Sequence, residues 1–115
     1  MILLAEDDED VREMLAFTLT SRGFEVETVG DGGAVLESLA RTHPCLLILD
    51  LVMPVMTGQQ VLAEMKARKM ADVPVCVISA LGGPTPPEAI ACLTKPFEVS
   101  EVVAIASKYC GHARG

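Results

Sequence analysis

Short, wholly apolar runs alternate with amphipathic stretches along this chain, and that alternation restricts the possible folds more than any other feature. The apolar runs cover residues 2–5, 45–49, 75–78 and 91–93. A strand that is apolar at every residue is buried on both sides, as happens in a parallel sheet with helices on each face. Residues 24–29 instead alternate apolar and polar side chains, which indicates a strand at an edge. We therefore predict an α/β fold with a doubly wound sheet of five parallel strands.

The stretches between the apolar runs have the apolar spacing of helices. Asp31 is placed to cap the second helix, and Thr57 with Gln60 matches the capping box that begins a third. A last helix carries apolar residues from Val99 to Cys110. Helices therefore separate the strands, as a doubly wound sheet requires.

The size and charge of the chain limit what it can bind. Its 115 residues fit one domain, residues 1–115, and half of them are hydrophobic, which is enough for a core. The net charge is −7 and the nine Lys and Arg residues are scattered, whereas a nucleic-acid binder needs a basic stripe. The apolar start is too short for a signal sequence and runs into acidic residues. We expect a cytoplasmic protein that contacts neither nucleic acid nor membrane directly.

Four cysteines stand at positions 45, 76, 92 and 110, and none forms a Cys-x-x-Cys pair. The first three fall in apolar runs, so the favoured interpretation is that they are small buried thiols in a reducing compartment. A disulfide or a zinc site remains as the alternative.

Polar residues follow four of the five predicted strands. Glu6 and Asp7 come after the first strand, Asp50 after the third, Ser79 after the fourth and Lys95 after the fifth. Ligands of open parallel sheets collect beyond the carboxyl ends of the strands. Each residue alone has an ordinary interpretation as a helix cap, a turn residue or a surface charge. Their joint occurrence at four strand ends favours a single site.

The residue types of this group suit phosphoryl transfer. Converging carboxylates repel one another and need a counter-ion, and Mg²⁺ prefers oxygen ligands while retaining water for an incoming phosphate. The carboxylate of Asp50 would be the nucleophile, Lys95 would neutralise phosphoryl oxygens, and Ser79 would donate a hydrogen bond.

The segments that carry these residues resemble the receiver domains of two-component response regulators, including those of chemotaxis. The resemblance rests on residues 2–8 (ILLAEDD), 47–54 (LILDLVMP) with Gly58, 77–80 (VISA) and 95–97 (KPF). The four segments occur in the family's order and spacing and span nearly the whole chain. Any one of them is a weak signal, but four in register are strong.

This resemblance implies a fold and a set of roles. The fold would be flavodoxin-like, with strand order 2-1-3-4-5, and Asp50 would be the phosphoacceptor. Mg²⁺ would be bound by Asp7, Asp50 and the backbone carbonyl of Val52, with Glu6 acting largely through water. The bond between Lys95 and Pro96 would be cis, which is tolerable because proline follows.

The resemblance also implies partners. A histidine kinase or phosphotransfer protein would donate the phosphoryl group, and a downstream output domain or protein would read the result. Such a domain is not an enzyme beyond its own phosphotransfer and dephosphorylation. A degenerate receiver that only docks to proteins is the alternative. A phosphatase of the haloacid-dehalogenase type would need Asp at position 52, which is Val, and a flavodoxin-like cofactor binder would need a phosphate loop where this chain has acids.

The sequence departs from the family pattern in two places, and two further positions bear on kinetics. Cys92 stands where many receivers have Tyr or Phe, three positions before the lysine. Residues 82–87 read GGPTPP, and their prolines exclude a helix interior, so the fourth helix of the usual receiver should be shortened or absent. The resemblance implies that Val52 and Leu81 occupy the two positions that influence water attack on the acyl phosphate in this family. Neither side chain can orient a water molecule, so we expect slow self-dephosphorylation.

Overall fold

The computed structural model describes residues 1–80 and 84–111, which form five strands and four helices. The elements in chain order are β1 (Ile2–Ala5), α1 (Glu9–Ser21), β2 (Val26–Val29), α2 (Gly32–Thr42), β3 (Leu46–Asp50), α3 (Gly58–Ala67), β4 (Val75–Ser79), β5 (Ala91–Thr94) and α4 (Val99–Cys110). The strands are parallel and lie in the order β2-β1-β3-β4-β5. The predicted doubly wound, flavodoxin-like sheet is confirmed.

The burial of the strands follows their position in the sheet. Every residue of β1, β3 and β4 is buried, whereas the two edge strands, β2 and β5, are only partly buried. The alternating sequence of β2 predicted its edge position, but the apolar run at residues 91–93 wrongly predicted a strand buried on both sides, because among the described residues no strand lies beyond β5. Successive residues of a strand point to opposite faces. Leu3 and Leu47 therefore pack under α2 and α3, and Ile2 and Leu46 pack under α1 and α4. Two hydrophobic clusters result, one on each face.

Side-chain caps fix where the first three helices begin. The Asp8 carboxylate accepts hydrogen bonds from the first turn of α1, and the Asp31 carboxylate accepts one from the Ala34 backbone at 2.9 Å. Thr57 and Gln60 form the predicted capping box of α3. Because each cap follows shortly after a strand end, the caps also set the path of the loops around the carboxyl edge of the sheet.

The connection from β4 to β5 contains no helix among its described residues, 84–90. The Ala89 backbone amide donates to the Pro86 carbonyl at 3.0 Å, and the Ile90 amide donates to Val75 at 2.8 Å. The expected shortening or loss of the usual fourth helix holds for these residues, and residues 81–83 lie outside the described part of the chain. A groove of about 340 Å³, lined by residues that include Leu62 and Pro87, lies beside this connection.

Two of the four cysteines are joined in a disulfide, Cys45 to Cys110. The prediction of buried free thiols is wrong for this pair, because the end of α4 returns to the start of β3, which spacing in the sequence does not reveal. Cys76 and Cys92 are free, and burial raises the pKa of the Cys76 thiol to about 12. The helices of the described residues fall short of the length and apolar character needed to cross a bilayer.

Candidate functional site

The carboxyl edge of the sheet brings the predicted acidic residues together. Carboxylate oxygens of Glu6, Asp7 and Asp50 all lie within 4.8 Å of one another. Glu6 and Asp50 are buried, whereas Asp7 is exposed. The group therefore has a floor of two buried carboxylates and a third at its rim, and carboxylate oxygens are the ligand type that a hard divalent cation takes.

Asp50 is the last residue of β3, and its side chain is held from two directions. One carboxylate oxygen, Oδ1, accepts a hydrogen bond from the Val52 backbone amide at 3.0 Å. The other, Oδ2, accepts one from the Lys95 ammonium at 3.3 Å. The Leu51 amide donates to the Ile78 carbonyl of β4 at 3.0 Å, which fixes the backbone directly after Asp50. The side chain is 4% exposed, so the carboxylate is oriented before any ligand arrives.

Glu6 is fully buried behind this contact. Its Oε1 lies 3.0 Å from the Lys95 ammonium, and its Oε2 accepts a hydrogen bond from the Asp8 amide at 3.2 Å. Burial first, and the nearby Asp50 carboxyl second, raise the pKa of Glu6 to about 7, although Lys95 acts to lower it. Burial acts to lower the pKa of Lys95, but its contacts with Glu6 and Asp50 outweigh burial and leave that pKa above its ordinary value. Lys95 is therefore a firmly charged partner for two carboxylates.

Ser79 and Lys95 complete the edge on the far side of Asp50. Ser79 ends β4 and is 6% exposed, and its carbonyl accepts a hydrogen bond from the Lys95 amide at 2.9 Å. The Lys95–Pro96 bond is cis, as the resemblance implied. A cleft of about 400 Å³ opens here, with Val52 and Ser79 among the residues that line it. The cleft leaves room for a ligand beside the end of β3.

Two glycines explain how the loop after Asp50 is held, and one of them, Gly58, belongs to the segment on which the family resemblance rests. A Cβ atom on Gly58 would lie 2.6 Å from the Leu51 Cα and 2.8 Å from the Asp50 carbonyl oxygen. A Cβ atom on Gly32 would lie 2.4 Å from the Cβ of Met56. The backbone of the loop thus packs directly against two helix starts.

One contact at the site could not be predicted from the sequence. The Arg12 guanidinium, at the end of the first turn of α1, donates to the Glu6 backbone carbonyl at 2.9 Å. Helical spacing places Arg12 on a polar side of α1 but does not show that it reaches back over the acidic pair. This bond ties α1 to the chain where β1 ends.

Comparison with known proteins agrees with this geometry. The family model described as the response regulator receiver domain matches residues 2–107. This chain belongs to that family. Response regulator RR06 of Streptococcus pneumoniae is 37% identical over 118 residues, which cover 94% of this chain and 54% of the relative. Transcriptional regulatory protein PrrA of Mycobacterium leprae is 39% identical over 109 residues, which cover 90% of this chain and 46% of the relative. The receiver domain thus spans about half the length of these relatives.

Solved receiver domains share the fold at similar length. The receiver domain of a sensor histidine kinase from Pseudomonas aeruginosa is 26% identical with a TM-score of 0.85 over 96% of each chain, and it holds a magnesium ion in its active site cleft. Response regulator TrrA from Thermotoga maritima, solved with Mg²⁺ and beryllofluoride, is 25% identical with a TM-score of 0.82 over 94% of this chain and 96% of its own. This chain is thus a receiver domain of the two-component type, a signalling domain, and the degenerate alternative finds no support.

Proposed function

We propose that this receiver domain accepts a phosphoryl group on the carboxylate of Asp50. The observation that carries the proposal is the position of that carboxylate, beside two other acids and 3.3 Å from the Lys95 ammonium. An attacking carboxylate must be oriented, and the products of transfer carry negative charge that a fixed cation stabilises. Asp50 meets the first requirement through the Val52 amide and the second through Lys95.

The donor set fits Mg²⁺. Glu6, Asp7 and Asp50 offer the oxygen ligands that a hard cation takes, and the exposure of Asp7 leaves the site open to water on one side. We propose Asp7, Asp50 and the backbone carbonyl of Val52 as direct ligands, with Glu6 acting through water. Bound Mg²⁺ would neutralise charge on the phosphoryl oxygens.

The chain's own residues then divide the remaining work. The proposed phosphoryl group passes from a ring nitrogen of a phosphohistidine to an Asp50 oxygen, so that a P–N bond breaks, a P–O bond forms and the histidine regains a proton. Lys95, which lies between Glu6 and Asp50, would neutralise charge on the phosphoryl oxygens. Ser79 would donate a hydrogen bond from its hydroxyl group to one of these oxygens. A histidine kinase or phosphotransfer protein is the partner that this chemistry requires.

The wider setting is part of the proposal. Residues 1–115 would form one receiver domain in the cytoplasm, whose phosphorylation biases a surface that an output domain or protein reads. Its catalysis would be limited to its own phosphotransfer and dephosphorylation. The negative net charge of −7 supports an output through protein contacts, with no nucleic acid bound by this domain itself.

Beryllofluoride binding tests the proposal directly. We expect wild-type protein to bind beryllofluoride only when Mg²⁺ is present, measured by fluorine NMR, and Asp50→Asn to lose the signal. Asp72→Asn is the matched control, because Asp72 is exposed in the turn before β4, away from the strand ends that form the site. Retained binding by Asp50→Asn, or binding without a divalent cation, would overturn the assignment of Asp50.

A further inference from the structure

The Cys45–Cys110 disulfide joins two elements that meet at the edge of the sheet opposite Asp50. Cys45 directly precedes β3, and Cys110 is the last residue of α4, 65 positions later in the sequence. Their Cα atoms are 5.4 Å apart, within the range that a disulfide bridges without backbone movement. The Cys45 amide donates to the Met1 carbonyl at 2.9 Å, so the sheet holds this residue whether or not the sulfurs are bonded.

Neither residue of this pair is fully buried. Cys45 and Cys110 are half-buried, whereas Cys76 is 1% exposed. Cys92 is also half-buried and, like Cys45 and Cys110, packs against a hydrophobic cluster, but it lies on the sheet face opposite Cys76, so these two cysteines do not form a pair. Thiol–disulfide exchange needs access to sulfur. The chain thus contains one partly exposed pair in bonding position and two free cysteines that serve as internal controls.

The far end of α4 is less buried than its beginning. The buried residues of α4 are Val102 and Ala106, in its first two turns. In the last turn Lys108 is exposed, and Tyr109 and Cys110 are only half-buried. Opening the disulfide would therefore loosen the last turn while the earlier turns stay packed on the sheet.

We infer that Cys45 and Cys110 form a reversible redox site that ties or releases the end of α4, a second covalent input to the domain. The oxidant would be a low-molecular-weight disulfide such as glutathione disulfide. One cysteine thiolate attacks it, forms a mixed disulfide and expels one glutathione thiolate. The other cysteine thiolate then attacks the protein sulfur and expels the second. The two cysteines lose two electrons and two protons, and two glutathione thiols are formed.

The inference rests on the proposed function in one respect, the cytoplasmic setting. Disulfides that form in that reducing compartment are usually transient and redox-sensing. The pair is also separated from Asp50 by the length of β3, so opening it leaves the acidic site intact. Phosphoryl acceptance and the thiol state are therefore expected to vary independently.

The test equilibrates the purified protein in buffers of graded glutathione to glutathione-disulfide ratio. Free thiols are alkylated and located by peptide mapping, and amide hydrogen exchange of α4 is measured in each state. We expect Cys45 and Cys110 to become protected together in oxidising buffer and to reopen in excess glutathione. Exchange of the last-turn amides should be about tenfold slower in the oxidised state. Cys92→Ala should behave as wild type. The double variant Cys45→Ser with Cys110→Ser should show the same amide exchange of α4 in every buffer.

Three results would overturn the inference: a pair that never closes, a bond that excess glutathione does not open, or last-turn exchange that is the same in both states. The comparison uses wild-type protein in two buffers, so it does not depend on the folding of a variant. Beryllofluoride binding, measured in both buffers, separates the two proposals. Loss of binding in both states counts against Asp50 as the acceptor and leaves the thiol result standing.

Discussion

The Lys95 ammonium lies 3.0 Å from the buried carboxylate of Glu6, closer than it lies to Asp50 at 3.3 Å. One cation thus serves two carboxylates, and the acid behind Asp50 takes the shorter contact. The negative charge that Lys95 neutralises therefore depends on whether a cation or a phosphoryl group is also bound beside Asp50.

The first prediction concerns Glu6 and pH. Burial raises the pKa of this carboxyl from 4.5 to about 7, so between these values the folded, metal-free protein keeps a proton that the unfolded chain releases. The free energy of unfolding should then fall as the pH rises through this interval, with the full contribution of Glu6 present only below 4.5. Urea unfolding of metal-free protein between about pH 4 and about pH 8 measures the slope.

Two variants sharpen this test. Glu6→Gln should flatten the slope, whereas Glu37→Gln, on the exposed side of α2, should keep it. Mg²⁺ should stabilise the wild type more at about pH 8 than at about pH 5, because its ligands must be deprotonated. An unchanged slope in Glu6→Gln would assign the pH dependence to another group.

The second prediction concerns Gly58. A Cβ atom there would lie 2.6 Å from the Leu51 Cα, and backbone cannot yield as a flexible side chain does. Gly58→Ala should lower the free energy of unfolding by about 1–3 kcal/mol and weaken beryllofluoride binding, because the displaced loop carries the Val52 amide. Gly33→Ala is the control, since a Cβ there meets its nearest atom at 3.3 Å, on a side chain. Equal stability of the two variants would contradict the prediction.

The third prediction concerns Val55, which has φ of 70° and is 85% exposed. A β-branched residue in the left-handed region costs about 1–2 kcal/mol, and no burial offsets it. Val55→Asn should therefore raise the free energy of unfolding by about 1 kcal/mol, since Asn tolerates this conformation. Val52→Asn, a change in the same loop at 60% exposure, should bring no such gain.

The fourth prediction concerns the lifetime of the phosphorylated state. Val52 is exposed at the mouth of the cleft and has no group that can orient water. Leu81, the second position linked to water attack, lies outside the described residues. Self-dephosphorylation should be slow in the wild type and about tenfold or more faster in Val52→Asn. Release of phosphate from small-donor-phosphorylated protein measures the rate, and Val55→Asn should leave it unchanged. Release within seconds by the wild type would refute the expectation.

The fifth prediction concerns the stability given by the disulfide. A bond that closes a loop of 65 residues should stabilise the fold, by about 2–4 kcal/mol on the usual scale. Urea unfolding of the oxidised wild type against Cys45→Ala with Cys110→Ala tests this. Cys92→Ala should cost less, because that thiol is half-buried and unbonded. Equal midpoints for the double variant and the oxidised wild type would refute it.

The sheet and its edge were predictable because both follow from local patterns. Apolar runs mark buried strands, and parallel strands bring their carboxyl ends to one edge, so the meeting of Glu6, Asp50 and Lys95 follows from sequence order. The Cys45–Cys110 pairing did not follow, since it depends on how far α4 runs back along the sheet. The contact of Arg12 with the Glu6 carbonyl depends likewise on the angle at which α1 leaves β1. The spacing of apolar residues in the sequence carries no information on how far α4 reaches or on the angle of α1.

Strand β3 begins beside one covalent linkage and ends at the residue proposed to receive another. Its five residues are all buried, and a strand advances by about 3.3 Å per residue. The disulfide and the Asp50 carboxylate are therefore linked by one short buried strand. Amide signals from Leu46 to Asp50 would thus register events at either end. The amide signals of this one strand would thus report both the state of the disulfide and the phosphorylation of Asp50.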